Sequence, residues 1–577
     1  MKKSINSRLF FLVPLVFAFL LFAGYASAAG VCHGATYDFA CGAVNYIINE
    51  SCTFTDNMNC SYGGGTLSIN NSIPNIVVDG AGYNMWYEVG SMIMGISSYY
   101  NNNLTIRNLT FINANMAFGA YIDNNLTFEY NTIIDSQYGM QIVITNSSTI
   151  QHNYIYKTNA SISPGYGIEL MGGHNNYIYD NTVSEYNNTA ITNDMGIAFV
   201  QYTDGITDIP YNNTVYGNDL IHDSDGIALY PAINTTIESN TLIGPEENLT
   251  QGIFLNACIN TTILHNNISL YDEGISDGYG SFSTIYLNNI FNSSGDYPEG
   301  ISEYVMNVFN VSNNTITDVT DQFSPGTGIY VDSSNGTIEG NRIIATGTKE
   351  YEGALDIEDI FDGDVTIRNN IIYGGNYDDF YSENAEGDVL NLILDNSNIS
   401  FHYVNVEGVE EDISAYAIPL NYRDIGIFFG GWSTGSGAYI DMLIYYDPAK
   451  VNNVSNLNVY ATDNGTWYWV NTTVSYPMFN MIEFDTYNFS EFAPLEYNGT
   501  TPTPSPSTAG GITCNVLDTM LILLAIAILL VAASLIFAWN NGVAITSKML
   551  ISVFVVIIVL ICLMGAIAGQ VGSVCAP

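Results

Sequence analysis

The sequence of 577 residues predicts an all-β chain: a solenoid of stacked coils, then a small β-sandwich, then a C-terminal two-helix transmembrane hairpin. Three observations carry this. The phrase Ile-x-x-Asn-x-Ile, in outline, starts at Ile106, Phe128, Ile150, Ile178, Val215, Ile237, Ile263, Ile285, Val311, Ile338 and Ile367, at intervals of 22 to 37 residues. That is the mark of a repeat array rather than of one globular core. A second phrase, glycine followed by a short alternating stretch, interleaves with the first: "GIEL" at Gly167, "GIAF" at Gly196, "GIAL" at Gly226, "GIFL" at Gly252 and "GIYV" at Gly328, with looser forms at Gly139 and Gly353. Thirdly, both chain ends carry long apolar runs that are not globular material.

At the N-terminus, Lys2, Lys3 and Arg8 precede an apolar run over 9–22 and then Ala26-Ser27-Ala28, a small-x-small cleavage site. Residues 1–28 therefore read as a secretory signal peptide, with an uncleaved anchor helix as the rival. Near the other end, 516–538 and 549–569 are each long enough to cross a ~30 Å hydrocarbon layer. The loop between them, 539–548, has Lys548 as its one charge, which places it in the cytoplasm, residues 29–515 outside and 570–577 as a short outer tail. The expected location is the cell membrane, with an extracellular body. Cys514 and Cys575 then share the oxidising side and are able to pair. Cys32, Cys41, Cys52 and Cys60 suggest two disulfides, in any of three connectivities, within an N-terminal cap over 29–66. Zinc is the rival there, weakened by the lack of any Cys-x-x-Cys and by His33 being the one nearby histidine.

Composition narrows the partners. Fifty-six acidic against 11 basic residues give a formal charge of −45, which opposes nucleic acid, anionic lipid and polyuronates unless cations bridge them. Charged residues are nevertheless only 12% of the chain and aromatics 13%, with 42 tyrosines, so this is folded protein rather than an acidic tail.

Each repeat holds brief period-2 strands separated by turns, none long enough to bury an apolar face alone, so the coils must pile up in parallel. Ten of the eleven copies place asparagine in the fourth slot: Asn131, Asn153, Asn181, Asn218, Asn240, Asn266, Asn288, Asn314, Asn341 and Asn370, with Leu109 as the exception. The combination "GI-x-L … N-T-T-I-x-x-N-x-I" resembles right-handed parallel β-helix proteins of the NosD and pectate-lyase-like type, and "IVVDGAG" over 76–82 resembles their opening coil. The resemblance spans roughly 67–373, within a solenoid assigned to 67–399, and implies fold rather than activity.

Stacked at one corner, asparagine amides both donate and accept, forming a ladder that satisfies a buried polar turn; asparagine also tolerates a left-handed backbone. Solvent-facing turn residues without a ladder are the alternative. At ~4.8 Å per coil, the rod is roughly 55–60 Å long. Three residues before each phrase, Asn103, Asn125, Asn212, Asn234, Asn260 and Asn335 begin glycosylation sequons, among about two dozen in the mature chain.

From 400 to 497 the text changes to "YIDMLIYYD" and "LNVYATDNGTWYWV", alternating strands with turn signals that suggest the sandwich. It resembles modules closing archaeal surface β-helix proteins. Trp467 and Trp469 share a strand face, as core or as a sugar-stacking platform. Residues 498–515 are a Pro/Ser/Thr stalk.

The candidate chemistry is acidic. Asp223 and Asp225, and Asp356, Glu358 and Asp359, are candidate catalytic carboxylates, since a glycoside hydrolase needs two acids about 5 to 10 Å apart. Asp272, Glu273 and Asp277 are candidate calcium ligands, though no defined loop motif is present; no cofactor is required. Scattered histidines offer no copper site. The overall expectation is an N-glycosylated surface rod serving as an envelope component or as an adhesin for polysaccharide, another glycan or a surface protein, with lateral self-association possible. A membrane-tethered polysaccharide hydrolase or lyase is the alternative.

Overall fold

A computed structural model describes residues 30–32 and, with breaks at several connections, 46–497. The expected signal peptide, stalk and membrane segments, with Cys41, Cys514, Cys575 and Asp359, lie outside the described residues. Among the described residues, no helix is long and apolar enough to cross a membrane.

One coil shows the plan. A six-residue glycine-led strand, Asp225–Tyr230, runs to a corner; the three-residue strand Thr236–Glu238 follows, then the asparagine corner, then Thr241–Ile243. Each strand pairs in parallel with its equivalent one coil later, Ile227 with Ile253, Ile237 with Ile263 and Leu242 with Ile268. Three parallel sheets therefore wrap one interior. The three-residue strands point a single side chain inward, and Ile106, Phe128, Ile150, Ile178, Val215, Ile237, Ile263 and Ile285 form a column with no solvent exposure. Burying each such side chain contributes about 1.5–3 kcal/mol, which no isolated coil could collect. Glycine leads the long strands because there is no room for more: a Cβ on Gly226 would sit 2.6 Å from both the Gly252 carbonyl oxygen and Leu242 Cδ2.

The solenoid begins earlier than its sequence phrases. Tyr46–Ile48 pairs in parallel with Leu67–Ile69, and Met58–Cys60 with Asn84–Tyr87. Part of the segment expected as a separate cap therefore forms coils, unrecognised because it lacks both the corner asparagine and the Gly-Ile phrase. Cys52 and Cys60 are buried there, whereas the side chains of Cys32 and Cys41 lie outside the described residues.

At the far end, Glu386–Ile393 still pairs in parallel with Val365–Arg368 but pairs antiparallel with Asn398–Val404. Antiparallel pairing continues from there: Asn398–Val404 with Tyr439–Tyr445, and Leu457–Asp463 with Glu491–Tyr497. Trp467 and Trp469 pack on Tyr460, Ala493 and Leu495, so the pair supports a core rather than a sugar platform.

Candidate functional site

The corner asparagines are buried, and from Asn131 to Asn370 each Nδ2 donates to Oδ1 of the next rung at 2.9–3.2 Å. Asn240 shows how fully one amide is used. Its Oδ1 accepts the backbone N–H and Nδ2 of Asn218, while its Nδ2 donates to Asn266 Oδ1 and to the Val215 carbonyl. Conformation is not what selects asparagine here. The left-handed residue is the one before it, including Tyr130 (φ 54), Ser239 (φ 58) and Leu287 (φ 55). The amide chemistry, not tolerance of positive φ, is the reason for the slot.

A second, exposed ladder runs along another corner. Asn125 Nδ2 donates to Asn103 Oδ1 at 3.0 Å, Asn234 to Asn212 at 3.1 Å and Asn260 to Asn234 at 2.7 Å, and here the asparagines themselves are left-handed. These are sequon residues. Asn335, the last of the set, is partly buried.

The outer face of the glycine-led sheet concentrates chemistry. Met195, Ala198 and Ala228 form a small apolar cluster separate from the main core, with Tyr166, Val200, Tyr230 and Phe254 packed on it; Tyr230 and Phe254 lie 5.1 Å apart. On one side, Tyr121 Oη donates to Gln141 Oε1 at 3.0 Å and Gln141 Nε2 to Glu169 Oε2 at 2.8 Å. On the other, Gln251 Nε2 donates to Glu273 Oε2 at 2.9 Å, Tyr304 Oη to Glu299 Oε2 at 2.9 Å and Tyr330 Oη to Glu358 Oε2 at 2.9 Å. Burial pushes the Asp225 carboxyl up to about 7. Burial, and then the charge of Glu273, push Glu299 up to about 8. Glu273 and Glu299 are register partners on adjacent strands, so one acidic pair has a member disposed to hold a proton near neutrality.

The sequence candidates divide on this geometry. Asp225, Glu273, Asp356 and Glu358 belong to strands of this sheet. Asp223 does not join them: it is fully buried at a corner, its Oδ1 accepting the Tyr186 N–H at 2.8 Å. The calcium trio does not converge. Asp277 falls in an inward column between Leu255 and Glu303, while Glu273 bonds Gln251 on the outer face. Among the described residues, no group of three or more His, Cys, Asp or Glu could hold a metal. Histidines stay apart: His152 stacks on Tyr130, His174 on Tyr211, and His222 bonds Glu185 at 3.1 Å. Arg107 and Arg368 pair with Asp79 and Glu339, far apart along the coils. Glu299 belongs to none of the sequence candidates, although a signal marks it, since "EGIS" at Glu299 repeats "EGIS" at Glu273.

Three parallel sheets around one core, with an aromatic and carboxylate-lined outer face, define a β-helix protein. Residues 94–249 match the family model "Right handed beta helix region", so the coil is the right-handed one. Solved structures similar in fold include a tailspike protein mutant of E. coli bacteriophage HK620 in complex with pentasaccharide, at 9% identity over 79% of this chain and 84% of that one, TM-score 0.39. PfbA, a surface protein and adhesin of Streptococcus pneumoniae, is 13% identical over 58% and 92%, TM-score 0.30. The Agl-KA catalytic domain is 13% identical over 60% and 62%, TM-score 0.36. No curated protein sequence matches significantly.

Proposed function

We propose that this chain is an exported, membrane-anchored, N-glycosylated surface rod whose glycine-led sheet binds neutral or amine-bearing glycans. The observation that carries the reading is the aromatic patch of Tyr166, Tyr230 and Phe254 lying outside the core beside hydrogen-bonding acids. Aromatic faces stack on the C–H faces of sugars, and carboxylates accept hydroxyl hydrogen bonds. The charge of −45 selects against anionic chains. In this reading the signal peptide, the membrane hairpin and disulfides among the first four cysteines place and secure the rod, and sugars on the exposed asparagine ladder leave the glycine-led sheet as the docking face.

Tyr230→Ala with Phe254→Ala is expected to weaken binding of a neutral oligosaccharide about tenfold, on the order of 1.4 kcal/mol, in a chain that still folds by circular dichroism. Titration calorimetry against a glycan panel measures it, and unchanged affinity for every bound glycan sinks the assignment.

Hydrolysis is the second reading, favoured by Glu273 and Glu299. Neighbouring strands ~4.8 Å apart bring two acids near the separation used by retaining glycosidases, with Glu299 as the proton donor and Glu273 as the nucleophile. The expected result is release of new reducing ends by the wild-type chain and at least a hundredfold less by Glu299→Gln. No release from any glycan that binds leaves the adhesin reading alone.

A further inference from the structure

Lys157 and Asp194 are 37 residues apart in sequence and meet inside the corner that leads into the glycine-led strands, Nζ to Oδ2 at 2.8 Å. Their side chains are 2% and 0% exposed. The Tyr186 ring covers the ammonium, its centroid 5.2 Å from Nζ. Asp194 Oδ1 accepts the backbone N–H of Gly165. One rung on, the Asp225 N–H donates to the Asp194 carbonyl at 3.1 Å. Asp223 Oδ2 reaches into the same corner, 2.6 Å from where a Cβ on Gly196 would stand, and it is buried with no hydrogen-bond partner. The arrangement is an amine held on a carboxyl group, a backbone donor on the other carboxyl oxygen and a second acid with a free oxygen, all buried from the surface.

We propose that Lys157 and Asp194 are joined by an intramolecular amide bond from Nζ to Cγ, formed by the folded chain itself with Asp223 as the proton-transfer group. A buried ion pair is a poor resting state, because the desolvation of two charges outweighs much of their attraction. Moving one proton across the 2.8 Å contact leaves a neutral amine facing a neutral carboxylic acid. The amine nitrogen then attacks Cγ. The Gly165 N–H stabilises the oxyanion that develops on Oδ1, as preorganised donors do in acyl transfer. Asp223, protonated at the start, gives its proton to the departing hydroxyl and takes one from the attacking nitrogen, so that it ends protonated again. One C–N bond forms, one C–O bond breaks and one water leaves; no oxidant or cofactor is consumed. Burial holds the Asp223 carboxyl well above the ordinary carboxylate range, with Lys157 opposing the shift, which suits a group that begins and ends the cycle protonated.

The bond would close a loop longer than a whole coil in the middle of the rod, a covalent staple against unzipping in a solenoid where each coil otherwise holds only its neighbours. It concerns stability rather than ligand binding and does not depend on the glycan reading.

The test is mass spectrometry of the full chain after reduction, deglycosylation and denaturation. The expected result is an intact mass below the sum of residues by one water, about 18 Da, and after proteolysis a branched peptide joining residues 157 and 194. Linear peptides carrying both residues, with Lys157 open to acylation after unfolding, overturn the bond. Asp223→Asn keeps the corner's shape and removes the proton carrier, so this variant is expected to fold, by circular dichroism, and to show the unlinked mass. If it folds and is still linked, the role given to Asp223 is overturned.

Discussion

Asn266→Ala is expected to destabilise the rod by about 3–5 kcal/mol, since each buried donor or acceptor left unpaired costs about 1–3 kcal/mol. In the wild type, Asn266 Oδ1 accepts from both the backbone N–H and Nδ2 of Asn240, and its Nδ2 donates to the Ile237 carbonyl and to Asn288 Oδ1. Truncation removes bonds to both neighbouring coils at once, and a corner packed this closely leaves little room for water to replace them. The control is Asn234→Gly, because Asn234 holds a left-handed φ of 51° that glycine adopts without strain. That residue also sits in a stack, with bonds to Asn212 and Asn260, but it is exposed, so water substitutes and the change should stay within about 0.5 kcal/mol. Denaturant midpoints of the two variants measure the contrast. Equal shifts would show that the inner amides contribute no more than surface turn residues, and the account of the corner would fail.

The second large effect is a pH dependence with the opposite sign to ordinary acid denaturation. Asp277 and Glu303 are register partners with no solvent exposure, in a column that carries Leu255 before them and Val331 after. Burial raises Asp277 to about 7, and burial followed by the charge of Asp277 raises Glu303 well above the normal value. The neighbouring Cys258 thiol is pushed up to about 12 by the same burial, then by Asp277. Because the folded values lie above the unfolded ones, the favourable contribution is complete below the ordinary carboxyl range and is lost as pH rises through the folded values. Asp225, at about 7, and Glu299, at about 8, act in the same direction. The wild-type thermal midpoint should therefore fall between about pH 5 and 8. Asp277→Leu with Glu303→Leu, which continues the apolar column, should gain about 1–4 kcal/mol at pH 8 and much less at pH 4. Calorimetry across that range decides it: a double variant less stable than wild type at pH 8 would mean that the two acids meet a structural need that apolar packing cannot.

Much of the fold is legible because a solenoid repeats itself. The same hydrogen-bond problem recurs once per coil and receives the same residue each time. Asn240 and its equivalents could thus be aligned without knowing where any of them points, and the inward isoleucines follow from the period-2 alternation around them. Where the repetition weakens, legibility fails. The coils around Tyr46–Ile48 pair like the rest but carry neither phrase, so they read as something separate.

The site was harder to see. Glu273 and Asp277 look like one acidic cluster in the sequence, yet the strand between them sends one to the outer face and the other into the core. Glu273 and Glu299 look unrelated, yet stacking makes them neighbours. Lys157 and Asp194 meet across 37 residues that no local pattern connects. Local periodicity writes the coil, because strand, turn and corner are each satisfied within a few residues of chain. Which side chains face one another depends on how long each connection is and on which side of a sheet a residue falls. Those quantities are settled only when one coil lies on the next, where a shift of a single residue exchanges core for solvent.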